Sequence, residues 1–287
     1  MPLTPHAFRP NPKRLRERSD VTLCIAAACC ETTRDKPRIV LCADHKVGTW
    51  AAQAEIGFKF SWVTRNWPAL VAGDLARTEE LTATFATALD GKTLNRYNVF
   101  DHMKAAGHAF REKLADELVR QKLSVSYEYL RQNRGKFPSA TVYEIYTQIS
   151  NIDSGAELIA AGFLNNRPAL FVVEKDCSVS HRQHFAAIGT GAYIAEPALY
   201  QRRQSKTKSL SDTLYHVYEA KRLGEIAEAV GKMTSIAVIS PPAKEGEAID
   251  DKWVGESGFD FLGEKYRELG PKPVPDMDFL DEYFTTF

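Results

Sequence analysis

A continuous apolar segment, VTLCIAAACC, occupies residues 21–30 and narrows the possible folds more than any other part of the chain. Small and β-branched residues without polar alternation predict a strand that is buried on both faces. The polar segment ETTRDKPR follows at residues 31–38, and the strand-like IVLCA follows at residues 39–43. The two strands are therefore expected to form a hairpin whose sheet is covered on both sides.

Strands and helices alternate in blocks along the rest of the chain. Further strands are predicted at residues 56–63, 69–73, 157–163, 169–174 and 236–239, and helices at residues 75–89, 99–122, 192–201 and 210–230. Residues 124–153 show no clear period. Because helices come in pairs after each block of strands, the order predicts an α+β fold with two sheets between two helical layers, a four-layer αββα sandwich.

Composition excludes several classes of function. The chain carries 37 basic and 37 acidic residues, so its charge gives no reason to expect a nucleic-acid partner. No apolar run approaches the roughly 20 residues of a membrane helix. The five cysteines form no CxxC pair and fall mostly in apolar stretches, which is typical of buried thiols in a reducing, cytoplasmic protein with no metal or cofactor.

The chain is expected to contain one main domain, at residues 22–240. Residues 1–21 are arginine- and proline-bearing and are interpreted as a disordered extension, a propeptide or a mis-assigned start. Residues 91–154 form a long helical insertion region within the domain. Residues 241–287 form a C-terminal extension with proline, charge and aromatic clusters.

Three polar residues stand out at the predicted strand ends. Thr22 opens the first strand, Asp44 closes the second, and Lys59 lies in IGFKFSWV between two phenylalanines. Alternation alone favours a solvent-facing lysine. Burying its charge without a partner would be costly, and Asp44 is the candidate partner.

The ordered set of motifs resembles the proteasome β-subunit family. The matching segments are TLCIAA, IVLCADHKVG, GFKF, ALVAGDLARTEEL, ELIAAGFLNNRPALFVVEKD and AAIGTGAYIAEPAL, which extend over roughly residues 21–239 and are interrupted at residues 91–154. The start of the first strand is most similar to the bacterial Anbu-type, HslV-like proteasome homologues. The resemblance implies an Ntn-hydrolase fold of the proteasome-subunit type.

The resemblance also implies a role for particular residues. Thr22 would be the nucleophile and its free α-amine the base, Asp44 and Lys59 would tune that pair, the Gly73 N–H would stabilise the oxyanion, and Thr190 would supply a supporting hydroxyl. Lys46 replaces an arginine that orders the aspartate region in the family. The specificity pocket would be apolar and lined at Val47, Gly48 and Val71.

Two departures from the family pattern bear on activity. The family's later aspartate and serine have no clean match in GEIAEAVGKMTS, where Glu225 or Glu228 would be the nearest substitutes. Self-processing members usually have glycine before the threonine, whereas Val21 stands there. If Val21 is an initiator encoded by GTG, residues 1–20 would be an upstream mis-assignment; any other codon at that position would exclude this hypothesis.

Three functions therefore remain open. The first is a threonine peptidase that hydrolyses peptide or unfolded-protein substrates inside a homo-oligomeric ring, with any ATPase unfoldase being a separate protein. The second is a catalytically inactive ring or scaffold subunit on the same fold. The third is an Ntn amidase that acts on a small molecule, because a fold does not determine a substrate.

Overall fold

The computed structural model describes residues 22–30, 36–48, 53–55, 57–244 and 247–272. The strands are β1 (Cys24–Cys30), β2 (Pro37–Asp44), β3 (Lys46–Gly48), β4 (Gln53–Glu55), β5 (Phe60–Thr64), β6 (Trp67–Gly73), β7 (Ala156–Leu164), β8 (Arg167–Val173), β9 (Val179–Arg182), β10 (Phe185–Ile188), β11 (Thr234–Ser240) and β12 (Asp250–Trp253). The helices are α1 (Leu75–Leu89), α2 (Val99–Leu123), α3 (Tyr127–Gln132), α4 (Ser139–Ser150), α5 (Ala192–Gln201), α6 (Leu210–Gly224) and α7 (Glu256–Leu269), with a short 3-10 helix at Arg134–Lys136.

The first sheet contains the predicted hairpin. Its strand order is β10-β1-β2-β11-β12, and every neighbouring pair is antiparallel. β1 pairs with β2 from Cys24 opposite Ala43 and with β10 from Cys24 opposite Ile188, so it is an interior strand. Six of its seven residues are buried, as the continuous apolar run predicts.

The second sheet has the strand order β5-β6-β7-β8-β9, again antiparallel throughout. β3 and β4 form a separate two-stranded ribbon. β6 ends at Gly73, which is paired with Ala156 at the start of β7, and Asp74 then caps α1 by accepting a hydrogen bond from the Arg77 N–H. α1 therefore begins directly where β6 ends.

Apolar packing arranges these elements in layers. One core lies between the two sheets and joins residues such as Ala26 and Leu41 of the first to Ile159 and Val172 of the second. A second core joins the outer face of the second sheet to α1 and α2 through Phe85, Phe110 and Phe171 among others. α6 packs on β1 and β2, with α5 beside it. The α+β sandwich with two sheets between helices is thus present.

Several predicted boundaries differ from the structure. The helix expected over residues 210–230 ends at Gly224, so the extension to residue 230 is wrong. The strand expected over residues 56–63 begins at Phe60, and residue 56 lies outside the described residues. The unassigned residues 124–153 contain α3 and α4, which bury Leu130, Val142 and Ile145 beside Val119 of α2.

The expected terminal segments are only partly covered. Residues 1–21 and 273–287 lie outside the described residues. β12, from the expected C-terminal extension, pairs with β11 and so belongs to the first sheet. The chain divides into a large unit that ends at Val254 and a small unit from Gly255 onward that contains α7. Within α7, Lys265 and Glu268 form an ion pair of 2.7 Å.

Candidate active site

The Asp44 carboxylate is the centre of a buried hydrogen-bond network at the end of β2. Its Oδ1 accepts from Lys59 Nζ at 2.6 Å, from the Leu23 N–H at 2.8 Å and from Thr22 Oγ1 at 3.2 Å. Its Oδ2 accepts from the Gly231 N–H at 2.8 Å and from the Lys46 N–H at 3.2 Å. Five donors converge on one side chain that is wholly inaccessible to solvent.

Lys59 is the cation of this network. Its side chain is buried, at 7% exposure, whereas its neighbour Phe58 is 61% exposed. This is the reverse of the solvent-facing lysine that alternation alone favours. The Asp44 carboxylate offsets the cost of burying the ammonium, and the flanking Phe58 stacks on Phe60 at 5.3 Å between ring centroids.

Thr22 is held by the turn at residues 189–191. The Gly191 N–H donates to the Thr22 carbonyl at 3.1 Å. Gly189 has a φ of 86°, and a Cβ at that position would lie 2.3 Å from Thr22 Cγ2, so only glycine fits. Thr190 is exposed in the same turn. The predicted GTG segment therefore packs directly on the predicted nucleophile.

Gly73 lies at the end of β6 and approaches the same region. Its φ is 115°, and a Cβ there would lie 2.2 Å from the Gly155 carbonyl oxygen. Two residues earlier, the Val71 carbonyl accepts a hydrogen bond from Cys24 Sγ at 3.4 Å, which ties β6 to the start of β1. Glycine at position 73 is required by backbone conformation and by close approach.

The predicted pocket residues lie on two elements. Val47 and Gly48 belong to β3, directly after Lys46. Val71 belongs to β6, where its N–H donates to the Lys59 carbonyl at 3.0 Å. The Val71 side chain packs on the core between the second sheet and helices α1 and α2.

The segment at residues 225–233 belongs to the site, although the sequence predicts that most of it continues the preceding helix. Because α6 ends early, this segment crosses over Asp44 and delivers the Gly231 N–H to it. Lys46 Nζ donates to the Glu228 carbonyl oxygen at 2.5 Å and so fastens the segment to β3. The sequence signal was the glycine at position 231, since a glycine often follows the end of a helix. In the structure no Cβ fits at Gly231 between Lys46 and Asp44.

Glu225 and Glu228 do not stand in for the missing family residues in this structure. The Glu225 carboxylate pairs with the wholly buried Lys221 and with Arg222, 2.9 Å away. Glu228 contributes its backbone carbonyl. Val230 is buried, and its Cγ2 would lie 2.7 Å from a Cβ at Gly191. An apolar side chain therefore packs beside the turn that holds Thr22.

Glu157 is a site residue that sequence analysis missed. It lies on β7 opposite Ala72, and its Oε2 accepts the Gly189 N–H at 3.1 Å. Burial raises the pKa of its carboxyl to about 7, an effect that the Gly189 hydrogen bond only partly opposes. The signal was a glutamate within the apolar strand ELIAAGF, at a position that alternation turns toward the other sheet.

Other kinds of site find no support in the described residues. They contain no cluster of three or more histidine, cysteine, aspartate or glutamate side chains arranged to hold a metal ion. None of the helices in the described part of the chain combines the length and apolar character that a bilayer crossing requires.

Comparison with known proteins identifies the architecture. No family model matches the sequence, and no curated protein matches it. A solved structure of an Anbu (Gly-1) mutant from Hyphomicrobium sp. strain MC1 aligns with a TM-score of 0.55, over 93% of this chain and 99% of that chain. The chain has the Anbu fold. At 14% identity the likeness concerns the fold alone, and at that level the predicted resemblance to Anbu-type proteasome homologues is confirmed.

Proposed function

We propose that this chain is a threonine-type peptidase of the proteasome class, with Thr22 as its nucleophile. The observation that carries the proposal is the buried contact of Thr22 Oγ1 and Lys59 Nζ with the same oxygen of Asp44. A charged lysine beside a threonine hydroxyl, away from solvent, is costly to maintain for stability alone. Such an arrangement is typical of a nucleophile whose proton transfers are controlled by neighbouring charge.

The reaction requires a free α-amine on Thr22, so the peptide bond to Val21 must first be broken. The amine, with a reference pKa of about 8, then takes the hydroxyl proton as Oγ1 bonds to the substrate carbonyl carbon. In the proposed mechanism the Gly73 N–H stabilises the oxyanion, and the proton passes to the departing amine as the peptide bond breaks. Water, deprotonated by the same α-amine, then hydrolyses the acyl ester and regenerates Thr22.

The remaining parts of the proposal concern setting and substrate. Peptides or unfolded proteins would be cleaved in the cytoplasm, inside a homo-oligomeric ring that limits access to Thr22. Val47, Gly48 and Val71 would line an apolar pocket for the residue before the cleaved bond. Thr190, exposed in the turn at residues 189–191, would contribute a hydroxyl at the mouth of the site.

A catalytically inactive ring or scaffold subunit is the second candidate function. The observation in its favour is the buried Val230, which packs at Gly191 in the segment where the family has its later aspartate and serine. The valine supplies no hydroxyl or carboxylate to a proton relay around Thr22. In such a subunit the Asp44 network would serve the stability of the fold.

The decisive experiment joins the intact mass of the purified chain to a peptidase assay. We expect a mature mass that begins at Thr22, hydrolysis of a fluorogenic peptide with an apolar residue before the cleaved bond, and its loss in Thr22→Ala. Thr87→Ala is the matched control, because Thr87 is an exposed threonine of α1 whose hydroxyl donates to the Ala83 carbonyl in the same helix. A chain produced as Met-Thr22, with its methionine removed, tests activity independently of processing.

The alternatives give different outcomes in the same assays. An assembled ring with a free Thr22 that cleaves no peptide would reject the peptidase and support the scaffold subunit. A monomer that hydrolyses small amides but no peptides would support an amidase.

A further inference from the structure

Glu157 joins the two halves of the candidate site. In the pairing of β6 with β7, Glu157 lies opposite Ala72, and Ala72 is the residue before Gly73. Its carboxylate accepts the N–H of Gly189, the residue that packs on Thr22. One side chain therefore connects the strand end expected to bind the oxyanion with the turn that holds the nucleophile.

Glu157 lies close enough to Thr22, through Gly189, for its charge to act on Thr22. A Cβ at Gly189 would lie 2.3 Å from Thr22 Cγ2 and 2.6 Å from the Thr22 carbonyl oxygen. With the Gly189 N–H bond of 3.1 Å to Glu157 Oε2, the carboxylate is at most about 8 Å from the Thr22 side chain. Over such a distance in a partly buried site, a unit charge shifts a neighbouring ionisation by on the order of one pH unit.

Burial is the main cause that raises the pKa of Glu157, the Gly189 N–H bond opposes it in part, and the neighbouring charges add to the rise. Glu174, just after β8, and Asp153, just before β7, both oppose its ionisation. The β6 neighbour Ala72 and the turn at residues 189–191 carry no charge, and Cys24 on β1 has its pKa raised partly by Glu157 itself. Among the described residues no lysine or arginine contributes to the pKa of Glu157. Burial consequently raises that pKa to about 7.

We propose that Glu157 is a positioning residue of the peptidase site, which holds the turn at residues 189–191 against Thr22 and makes the reactivity of Thr22 sensitive to pH. This inference rests on the proposed peptidase function. The carboxylate form accepts the Gly189 N–H in a charge-assisted bond, so it orders the turn best. The same negative charge favours the ammonium form of the Thr22 amine and raises the amine pKa.

Two substitutions separate these effects. Glu157→Gln keeps an oxygen that accepts the Gly189 N–H but removes the charge, so the acidic limb of the kcat/KM profile should move about one pH unit lower. Glu157→Ala removes the acceptor as well, and kcat should fall roughly tenfold while KM stays within about twofold. Glu144→Gln is the control, because Glu144 is an exposed carboxylate on α4 that pairs with Lys122 and is not among the groups that shift the pKa of Glu157.

The experiment measures the pH profile of peptide hydrolysis for the full mature chain and the three variants. In parallel, infrared difference spectra follow the protonated carboxyl band between about pH 5 and 9. A band that titrates near pH 7 in the wild type and in Glu144→Gln, and is missing in Glu157→Gln, is the expected result. A Glu157→Gln pH profile identical to the wild type would overturn the proposal, whatever the peptidase rate.

The two proposals fail in distinguishable ways. If the mature wild type cleaves no peptide although the infrared band titrates near pH 7, the peptidase function fails and the Glu157 contact stands as a structural one. If hydrolysis is present but no band depends on Glu157, the positioning role fails and the peptidase function stands. A poorly folded Glu157→Ala does not affect the test, because Glu157→Gln decides it.

Discussion

At the scale of single residues, the fold of this chain concentrates polar chemistry on Asp44. Its two oxygens accept five hydrogen bonds, one from a buried ammonium and three from backbone N–H groups. The backbone donors come from Leu23 just before β1, from the start of β3 and from the segment after α6. A single carboxylate therefore fastens three separate parts of the chain as well as Thr22.

Replacing Asp44 should therefore be strongly destabilising. Asp44→Asn removes the charge from the buried ion pair of 2.6 Å with Lys59, and we expect a loss of roughly 3–5 kcal/mol in the free energy of unfolding. Denaturant titration measures it. Asp74→Asn is the control, since asparagine caps a helix as well as aspartate and should change stability by less than about 0.5 kcal/mol. A similar stability for both variants would contradict the assigned role of Asp44.

The cysteines give a second prediction at this scale. Burial raises the pKa of the thiols of Cys29 and Cys42 to about 12 and that of Cys177 to about 11, and it raises the pKa of Cys24 further. Only the thiolate reacts with alkylating agents. Iodoacetamide should therefore modify the folded protein at most at Cys30, which is partly exposed, and all five thiols after unfolding. Mass spectrometry counts the adducts; rapid labelling of Cys42 in the folded protein would contradict the packing of β2.

At the scale of elements, the structure differs most from expectation where α6 ends. The apolar and charged residues after Gly224 continue a helical period, but the chain leaves the helix there and crosses over Asp44. The buried Lys221 binds both Glu225 and the Lys232 carbonyl, at 2.8 Å from the latter, so the two ends of the segment are held together. Tertiary hydrogen bonds outweigh the small helical preference of these residues.

Gly231 tests this segment. In Gly231→Ala the new Cβ would lie 2.6 Å from Lys46 Cβ and 3.0 Å from Asp44 Oδ2, so the segment must move and the N–H bond to Asp44 must lengthen. We expect a loss of about 1–3 kcal/mol in the free energy of unfolding. Gly135→Ala, in the 3-10 helix, meets nothing within 4 Å and should be nearly neutral. Equal thermal shifts for the two variants would contradict the close approach.

At the scale of the whole molecule, stability should depend on pH through Glu157. Its pKa in the folded chain is about 7, above the ordinary 4.5 of an unfolded glutamate. The folded state therefore binds the proton more tightly, so this contribution is complete below about pH 4.5 and is lost as the pH rises through 7. We expect a decrease on the order of 3 kcal/mol in the free energy of unfolding across this range.

The measurement compares unfolding at several pH values in the wild type and Glu157→Gln. The difference between the two stability curves isolates Glu157, because all other ionisable groups are shared. The variant should lack the decrease between pH 4.5 and 7. The stability of the wild type minus that of the variant should fall with pH. If this difference rises with pH or stays flat, the carboxyl is not buried as the structure has it.

The sequence alone is sufficient to predict the hairpin, the two blocks of strands with paired helices, and the residues at the strand ends. Those features follow from local patterns: a continuous apolar run makes a doubly buried strand, and glycine is needed where a backbone has positive φ. The contact of Lys59 with Asp44 was foreseen because a lysine among aromatic residues needs a partner if buried. The resemblance to Anbu-type proteins rested on the same ordered segments.

The folded structure was needed to show which way Lys59 points, where α6 ends, and that Glu157 and Gly231 belong to the site. These depend on contacts between residues far apart in the chain, such as Gly231 with Asp44 and Glu157 with Gly189. Local periodicity carries no information about such contacts, because their free energy arises only when both sheets and the segment after α6 are packed together. The position of Thr22 at the start of the first strand can be predicted from the sequence, whereas the contacts around it form only in the folded chain.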